Sequence, residues 1–245
     1  MPERSGVRRH LLPLLLMAMA PVSAAWAAEI PIMQATAGAD LAFARYIAGL
    51  HADSAWALET VEIDAVLPKL EKRGRLRAIR RLLRSREPEY QVLELVGDQT
   101  VRQQVIARYL SAEMRAAEIP ANSVAVTPAN YKFHYQGMRK DGAKSIYVFA
   151  ISPLQKREGL IKGELWLDGE TGAAVRQSGY LVKQPSLFIK RVDVTRETVL
   201  CDGMAEARVT HLSINTRLVG PAELTIEERP YVETASCAAP KIEER

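Results

Sequence analysis

The chain has 245 residues, 48% hydrophobic and 25% charged, with 33 basic and 29 acidic residues for a net charge of +4. It is too apolar for a disordered chain, and its charge excess is too small for a nucleic-acid binder, whose affinity rests on neutralising phosphates. Two cysteines are too few for a disulfide framework, while the length suits one domain with a sizeable core.

The first element in chain order is an export signal. Arg4, Arg8 and Arg9 precede the apolar run Leu11 to Ala20, and Ala25-Trp26-Ala27 supplies the small residues of a cleavage point. That run is shorter than the roughly 20 residues that span a bilayer. Cleavage is predicted after Ala27, making residues 1–27 a signal peptide and residues 28–245 a single domain. No cysteine lies near the junction, so the mature chain is expected to be soluble, periplasmic where the host has two membranes, and not lipid-anchored. Its net charge falls by two units, because three arginines and Glu3 leave with the signal.

A helix follows within Asp40 to Ser54, where Leu41, Ala44, Ala48 and, one turn on, His51 recur at helical spacing and Asp40 is available as N-cap. Leu58 to Leu67 alternates as a strand. Lys72 to Arg86 fits two patterns: Arg73, Arg75 and Arg77 have strand spacing, whereas Leu76, Ile79, Leu82 and Leu83 trace a helical face. Gly74, which costs about 1 kcal/mol inside a helix, favours a strand up to about Arg81. This stretch also holds the densest charge: Lys69, Lys72, Arg73, Arg75, Arg77, Arg80, Arg81, Arg84 and Arg86, broken only by Glu71. Either it is a solvated strand face, or the Lys69–Arg86 surface makes transient contact with an anionic membrane surface or an acidic partner.

Beyond a strand at Tyr90 to Val96, the run Asp98 to Glu118 is helical. Val101, Val105, Ile106, Tyr109, Leu110 and Met114 share a face, and Pro120 follows the end. The remaining runs alternate with period two: Tyr131 to Gly137, Ser145 to Ile151, Leu160 to Leu167, Ala174 to Val182, Leu187 to Val199, Ala207 to Arg217 and Ala222 to Glu228. The clearest hairpin lies between Gly159 and Gly179, where Asp168-Gly169-Glu170-Thr171-Gly172 reverses the chain. Two helices among many mainly consecutive strands predict an α+β fold with a large antiparallel sheet.

Chemistry is sparse along this chain. His51, His134 and His211 have no zinc-binding spacing, and no Gly-x-Ser-x-Gly elbow, phosphate-cradling loop or dinucleotide fingerprint occurs. Glu164 and Asp168, at i and i+4 on a strand, are about 13 Å apart, too far for an acid/base pair. No catalytic residue, metal or cofactor is therefore predicted, and no enzyme. Cys201 and Cys237 either pair, as the oxidising compartment favours, or remain one buried thiol and one thiol in a loose tail. Tyr131, Phe133 and Tyr135 share a face of one strand, Ile146 and Val148 a face of the next, and Ile161, Leu165 and Leu167 a face of the third. Paired in sequence, they make a broad apolar surface that is either core or the wall of a cavity for a greasy ligand.

The segments GDQTVRQQVIARYLSAEM, TPANYKFHYQG, GLIKGELWLD, LVKQPSLFIKRVDV and TRLVGPAELTI, between Asp98 and Ile226, resemble exported proteins of the outer-membrane lipoprotein-sorting type. These form the LolA/LolB-like superfamily, relatives of the periplasmic lipoprotein carrier and its outer-membrane receptor. The resemblance implies a large curved antiparallel sheet, an incomplete β-barrel with helices covering its concave face, whose apolar interior holds acyl chains. It implies a monomeric, non-enzymatic periplasmic binding protein that shields lipid or lipoprotein acyl chains. The apolar surface of Tyr131, Phe133, Tyr135, Ile161, Leu165 and Leu167, with Phe188 from the segment PSLFIK, would then line the cavity. The alternative is a sensory or structural protein that uses the same sheet to bind a protein partner. Sensor relatives carry an additional C-terminal domain, for which the tail after Glu228 has no room.

Overall fold

The alternating runs pair into one sheet in the computed structural model, which describes residues 26–50, 57–82, 88–201, 204–217 and 220–231. Residues 1–25 of the expected signal peptide, His51, Arg84, Arg86 and Cys237 lie outside the described residues. The strands are β1 (Leu58–Leu67), β2 (Lys72–Arg81), β3 (Glu89–Gly97), β4 (Tyr131–Asp141), β5 (Lys144–Pro153), β6 (Ile161–Asp168), β7 (Ala174–Leu181), β8 (Ile189–Cys201), β9 (Met204–Thr216) and β10 (Pro221–Pro230). Helix α1 (Trp26–Gly49) precedes them. Between β3 and β4 come α2 (Gln99–Val101), a π-helical turn (Arg102–Ile106), α3 (Ala107–Ala117) and the short α4 (Ala121–Val124). No helix among the described residues is long and apolar enough to cross a membrane.

Spatial order is β3-β2-β1-β10-β9-β8-β7-β6-β5-β4, antiparallel throughout. The helical segment after β3 carries the chain from one edge of the sheet to the other, and β10 returns to pair with β1. The sheet stays open, the curved incomplete barrel that was expected. Lys72–Arg81 is a strand, and Gly74 has a packing reason as well: a Cβ there would come within 3.0 Å of Val101 Cγ1. Asp98 caps α2, its carboxylate accepting from the Thr100 amide at 2.7 Å.

Residues opposite each other in an antiparallel ladder present side chains to the same face. The registers therefore trace one row across the whole sheet: Gly97, Gly74, Ala65, Leu224, Leu212, Val194, Gly179, Gly163, Ile151 and Phe133. This inner face carries three apolar clusters. One joins Val61, Ile63, Leu76, Leu224 and Ile226 to Val101, Val105 and Ile106 of the helical segment. A second sets Tyr131, Phe149, Ile151, Leu165 and Leu167 against Ala39, Ala42 and Tyr46 of α1. Ile161, Val192 and Val194, flanked by Leu181, Ile189, Leu212 and Ile214, make a third from strand residues alone.

Three expectations change. The helix read from Asp98 to Glu118 packs on β1, β2 and β10 and so covers only one end of the inner face, while α1 covers the wing of β4 to β6. Within α1 the buried stripe is Ala39, Ala42 and Tyr46, whereas Leu41 is exposed and Asp40 is no cap, because the helix starts well before it. The stripe is small-sided because the sheet comes close: a Cβ on Gly38 would strike the Tyr147 hydroxyl. On β5 the inner residues are Tyr147, Phe149 and Ile151, not Ile146 and Val148. Both sets are buried, so alternation there carried no face information.

The β6–β7 reversal is organised by Asp168, whose Oδ1 accepts from the Glu170 and Thr171 amides at 2.9 and 2.8 Å. Burial would raise its pKa, but these hydrogen bonds outweigh burial and hold it below the usual carboxylate range. Arg45 of α1 donates to the carbonyls of Gly169 and Glu170 at 3.1 and 2.8 Å, tying helix to turn.

Cys201 ends β8, half-buried. Its pairing with Cys237 remains a prediction: thiol titration of the denatured, unreduced protein is expected to find no free thiol. Two thiols per chain would refute the pairing.

Candidate functional site

The strand residues singled out for a cavity come together only in part. Tyr131, Phe133, Tyr135, Leu165 and Leu167 lie in one cluster, with Phe43 of α1 stacked edge-on to Phe133 at 4.8 Å between ring centroids. The Tyr131 hydroxyl accepts from the Ile161 amide at 3.1 Å, but the Ile161 side chain belongs to the neighbouring cluster on the same face. As the chain stands, α1 covers the aromatic group. Phe188 joins neither cluster. It is 64% exposed, because the Ser186 carbonyl and hydroxyl capture the Ile189 and Phe188 amides and turn the chain outward before β8 begins.

The open concavity lies between the two helix-covered wings. It is a groove of about 520 Å³ lined by Arg80, Leu82, Glu113, Ala173, Ala174, Gln177, Arg196, Thr198, Leu200, Ala205, Arg208 and Glu228, with Arg176 at its margin. Its walls come from β2, α3, the β6–β7 reversal and the ends of β7 to β10. Polar and charged side chains make up most of the lining, and Leu82, Ala173, Ala174, Leu200 and Ala205 supply its apolar part.

In this lining Arg80 is enclosed by three carboxylates. Its Nε donates to Glu59 Oε2 at 2.8 Å, one terminal nitrogen bridges Glu59 and Glu228, the latter at 2.6 Å, and the other reaches Glu113 on α3. Tyr90 donates to the far oxygen of Glu113 at 2.5 Å. Glu59 is 1% exposed, and burial raises its pKa despite Arg80. Burial would lower the pKa of Arg80, but the Glu228 and Glu113 charges outweigh it and keep the guanidinium protonated. Burial first, and then the Glu113 charge, push Tyr90 above its ordinary value; Tyr109 is raised by the same two causes.

Sequence reasoning missed this network because it placed Arg80 among surface cations. A signal was present. Glu59 continues the inner-face series Val61, Ile63, Ala65 and Leu67; Arg80 continues Leu76 and Ala78; Glu228 continues Leu224 and Ile226; and Glu113 lies one turn beyond Tyr109. The rest of the cationic stretch is divided differently. Arg75 and Arg77 reach Glu62 across the ladder at 2.5 and 3.1 Å, and Lys72 reaches Asp98 at 3.3 Å. Cross-strand carboxylates thus offset much of the charge expected there.

His134 is exposed, and His211 pairs with Thr225 Oγ1 at 3.1 Å on the outer face. Among the described residues, no three His, Cys, Asp or Glu side chains are placed to hold a metal ion.

No protein-family model matches the chain, and no curated protein matches it in sequence. Among solved structures the chain is similar to a LolA superfamily protein from Nitrosomonas europaea, at 8% identity and a TM-score of 0.38, over 78% of this chain and 90% of that one. It is also similar to a domain assigned to outer membrane lipoprotein sorting from Vibrio parahaemolyticus, at 11% identity and a TM-score of 0.33, over 80% and 90%. A third is a DUF1329 family protein from Desulfovibrio piger, at 11% identity and a TM-score of 0.33, over 82% and 95%.

Proposed function

We propose that this chain is a non-enzymatic periplasmic binding protein that shields acyl chains of lipids or lipoproteins on the inner face of its open sheet. The observation that carries the reading is the groove left between two helix-covered wings on the inner face of the sheet, beside its apolar rows. A sheet whose inner face was only core would be covered along its length. Each methylene removed from water contributes about 0.8 kcal/mol, so part of one chain is enough for useful affinity without a specific polar contact. The motif resemblance to the lipoprotein-sorting family supports the same ligand class. In this reading the protein works as a soluble monomer. Tyr131, Phe133, Tyr135, Ile161, Leu165 and Leu167 become accessible to acyl chains when α1 moves off the second cluster, while the groove is open as it stands.

Mass spectrometry of an organic extract of the purified protein is expected to find lipid, and phospholipid is expected to displace a bound hydrophobic dye. An empty extract together with no displacement sinks the proposal. Phe133→Glu puts an unpaired carboxylate beside any hydrocarbon under α1, so it is expected to reduce lipid uptake, whereas Lys162→Ala, at an exposed position, leaves uptake unchanged. A folded Phe133→Glu variant with normal uptake removes the aromatic cluster from the site and leaves the groove.

A further inference from the structure

We propose that the groove recognises the anionic group of an amphiphile, a carboxylate or phosphate carried on a hydrocarbon chain, with Arg196 as the primary cation. This deepens the acyl-binding reading and rests on it. The inner face of the middle strands changes character along their length. On β8 the inner series runs Val192, Val194, Arg196, Thr198, and on β9 the facing series runs Ile214, Leu212, Thr210, Arg208. Two apolar rows are thus followed by two polar rows on the same side of the sheet. Gln177 of β7, opposite Arg196, extends the polar patch. A sheet face that served only as core would stay apolar to its end.

The charges of the groove are not equivalent. Arg80 is committed to Glu59, Glu113 and Glu228. Arg176, across the sheet, is committed to Glu197 at 2.9 Å and lies over Trp166. Arg196, by contrast, is exposed, and no carboxylate among the described residues forms an ion pair with it. Its Nε donates a long hydrogen bond to Thr210 Oγ1 at 3.4 Å, which orients the guanidinium. Arg208, diagonal to it across the ladder, faces Glu228 of β10 and so belongs with the carboxylate cluster, which leaves Arg196 as the cation of the site. A planar guanidinium presents paired N–H donors that match carboxylate or phosphate oxygens.

The other walls specify what the anion is attached to. Leu82, Ala173, Ala174, Leu200 and Ala205 are apolar and mostly small, leaving room for methylenes in a volume within the range of small-molecule sites. A free inorganic anion would use Arg196 and gain nothing from these residues. An uncharged ester would use them and gain nothing from Arg196.

The test compares oleate, methyl oleate and inorganic phosphate by displacement of a fluorescent fatty acid from the purified protein. Oleate is expected to bind at least tenfold more tightly than methyl oleate, and millimolar phosphate is expected not to compete. Arg196→Gln should remove that preference while leaving methyl oleate affinity unchanged; Arg196→Lys should retain part of it. Arg191→Gln, on the outer face beside Tyr180, should change nothing. Melting temperatures of all variants, read alongside, exclude unfolding as the cause. Equal affinity of wild type for acid and ester, or an Arg196→Gln variant that keeps the preference, overturns the anion site and leaves acyl binding intact. Phosphate competing as well as oleate overturns the amphiphile assignment. Failure of both oleate and its ester to bind overturns the site and the acyl-binding reading together.

Discussion

Arg80→Ala is expected to destabilise the folded protein by about 3–5 kcal/mol at pH 7, the usual consequence of removing one partner from a buried ionic cluster. Arg80 touches all three of Glu59, Glu113 and Glu228, and Glu59 is 1% exposed. Alanine leaves the buried Glu59 carboxylate without its hydrogen-bond donor and beside the like charge of Glu228. The pH dependence gives the mechanism a signature. Burial already raises the folded pKa of Glu59 above its ordinary 4.5, so its stabilising contribution is complete below that pH and declines as pH rises through the folded value. Without Arg80 the folded pKa rises further, because the charge and hydrogen bond that most oppose burial are gone and only the smaller pull of Arg208 remains. The difference between wild type and Arg80→Ala should therefore be largest near neutrality and shrink towards pH 4.5. Urea denaturation at both pH values measures it. A loss below about 1 kcal/mol at pH 7, or a deficit that grows on acidification, rules out the cluster as a buried brace. Glu59→Met combined with Arg80→Met removes both charges and should recover part of the loss.

The same cluster explains what sequence reading could and could not reach. Strand positions were legible because one side of most strands is buried, and alternation reports that directly. Glu59, Arg80 and Glu228 stand on the buried side by that very rule, yet their charge suggested solvent. The rule for faces was right and the assumption about residue type was not. Pairing of β1 with β10 was not legible at all, since the two strands lie at opposite ends of the sheet-forming chain and alternation names faces, not neighbours. Only once that pairing forms does Glu228 meet Arg80, and only once α3 lies across β2 does Glu113 complete the set. The groove inherits this dependence: its lining comes from segments far apart in sequence. The aromatic cluster of Tyr131, Phe133 and Tyr135 was legible because it is built from consecutive hairpins. Its cover was not, because Ala39 and Ala42 carry little pattern and Phe43, which stacks on Phe133 and Phe149, falls outside the series Leu41, Ala44 and Ala48 read from the sequence.

Gly163→Ala is expected to cost about 3 kcal/mol or more, at the upper end of what overpacking causes, because the obstruction is backbone and cannot rotate away. Gly163 and Gly179 face each other across β6 and β7 in the row that crosses the whole inner face. A Cβ on Gly163 would run into the Ser178 carbonyl oxygen and come within 2.5 Å of Gly179 Cα; one on Gly179 would run into the Lys162 carbonyl oxygen. Gly179 has φ +155, which side-chain-bearing residues rarely adopt. The two glycines therefore let these strands fold towards each other, at the step where the α1-covered wing gives way to the open middle of the sheet. Adding a methyl group should flatten that step, so the effect should reach the groove as well as the melting temperature. Gly142, where a Cβ would meet nothing within 4 Å, is the control for a glycine outside this row, and Gly142→Asn, suited to its φ of +56, should be nearly neutral. A Gly163→Ala variant within about 1 kcal/mol of wild type in chemical denaturation would show that the sheet bends elsewhere. A stable variant with unaltered dye binding would separate the groove from this bend.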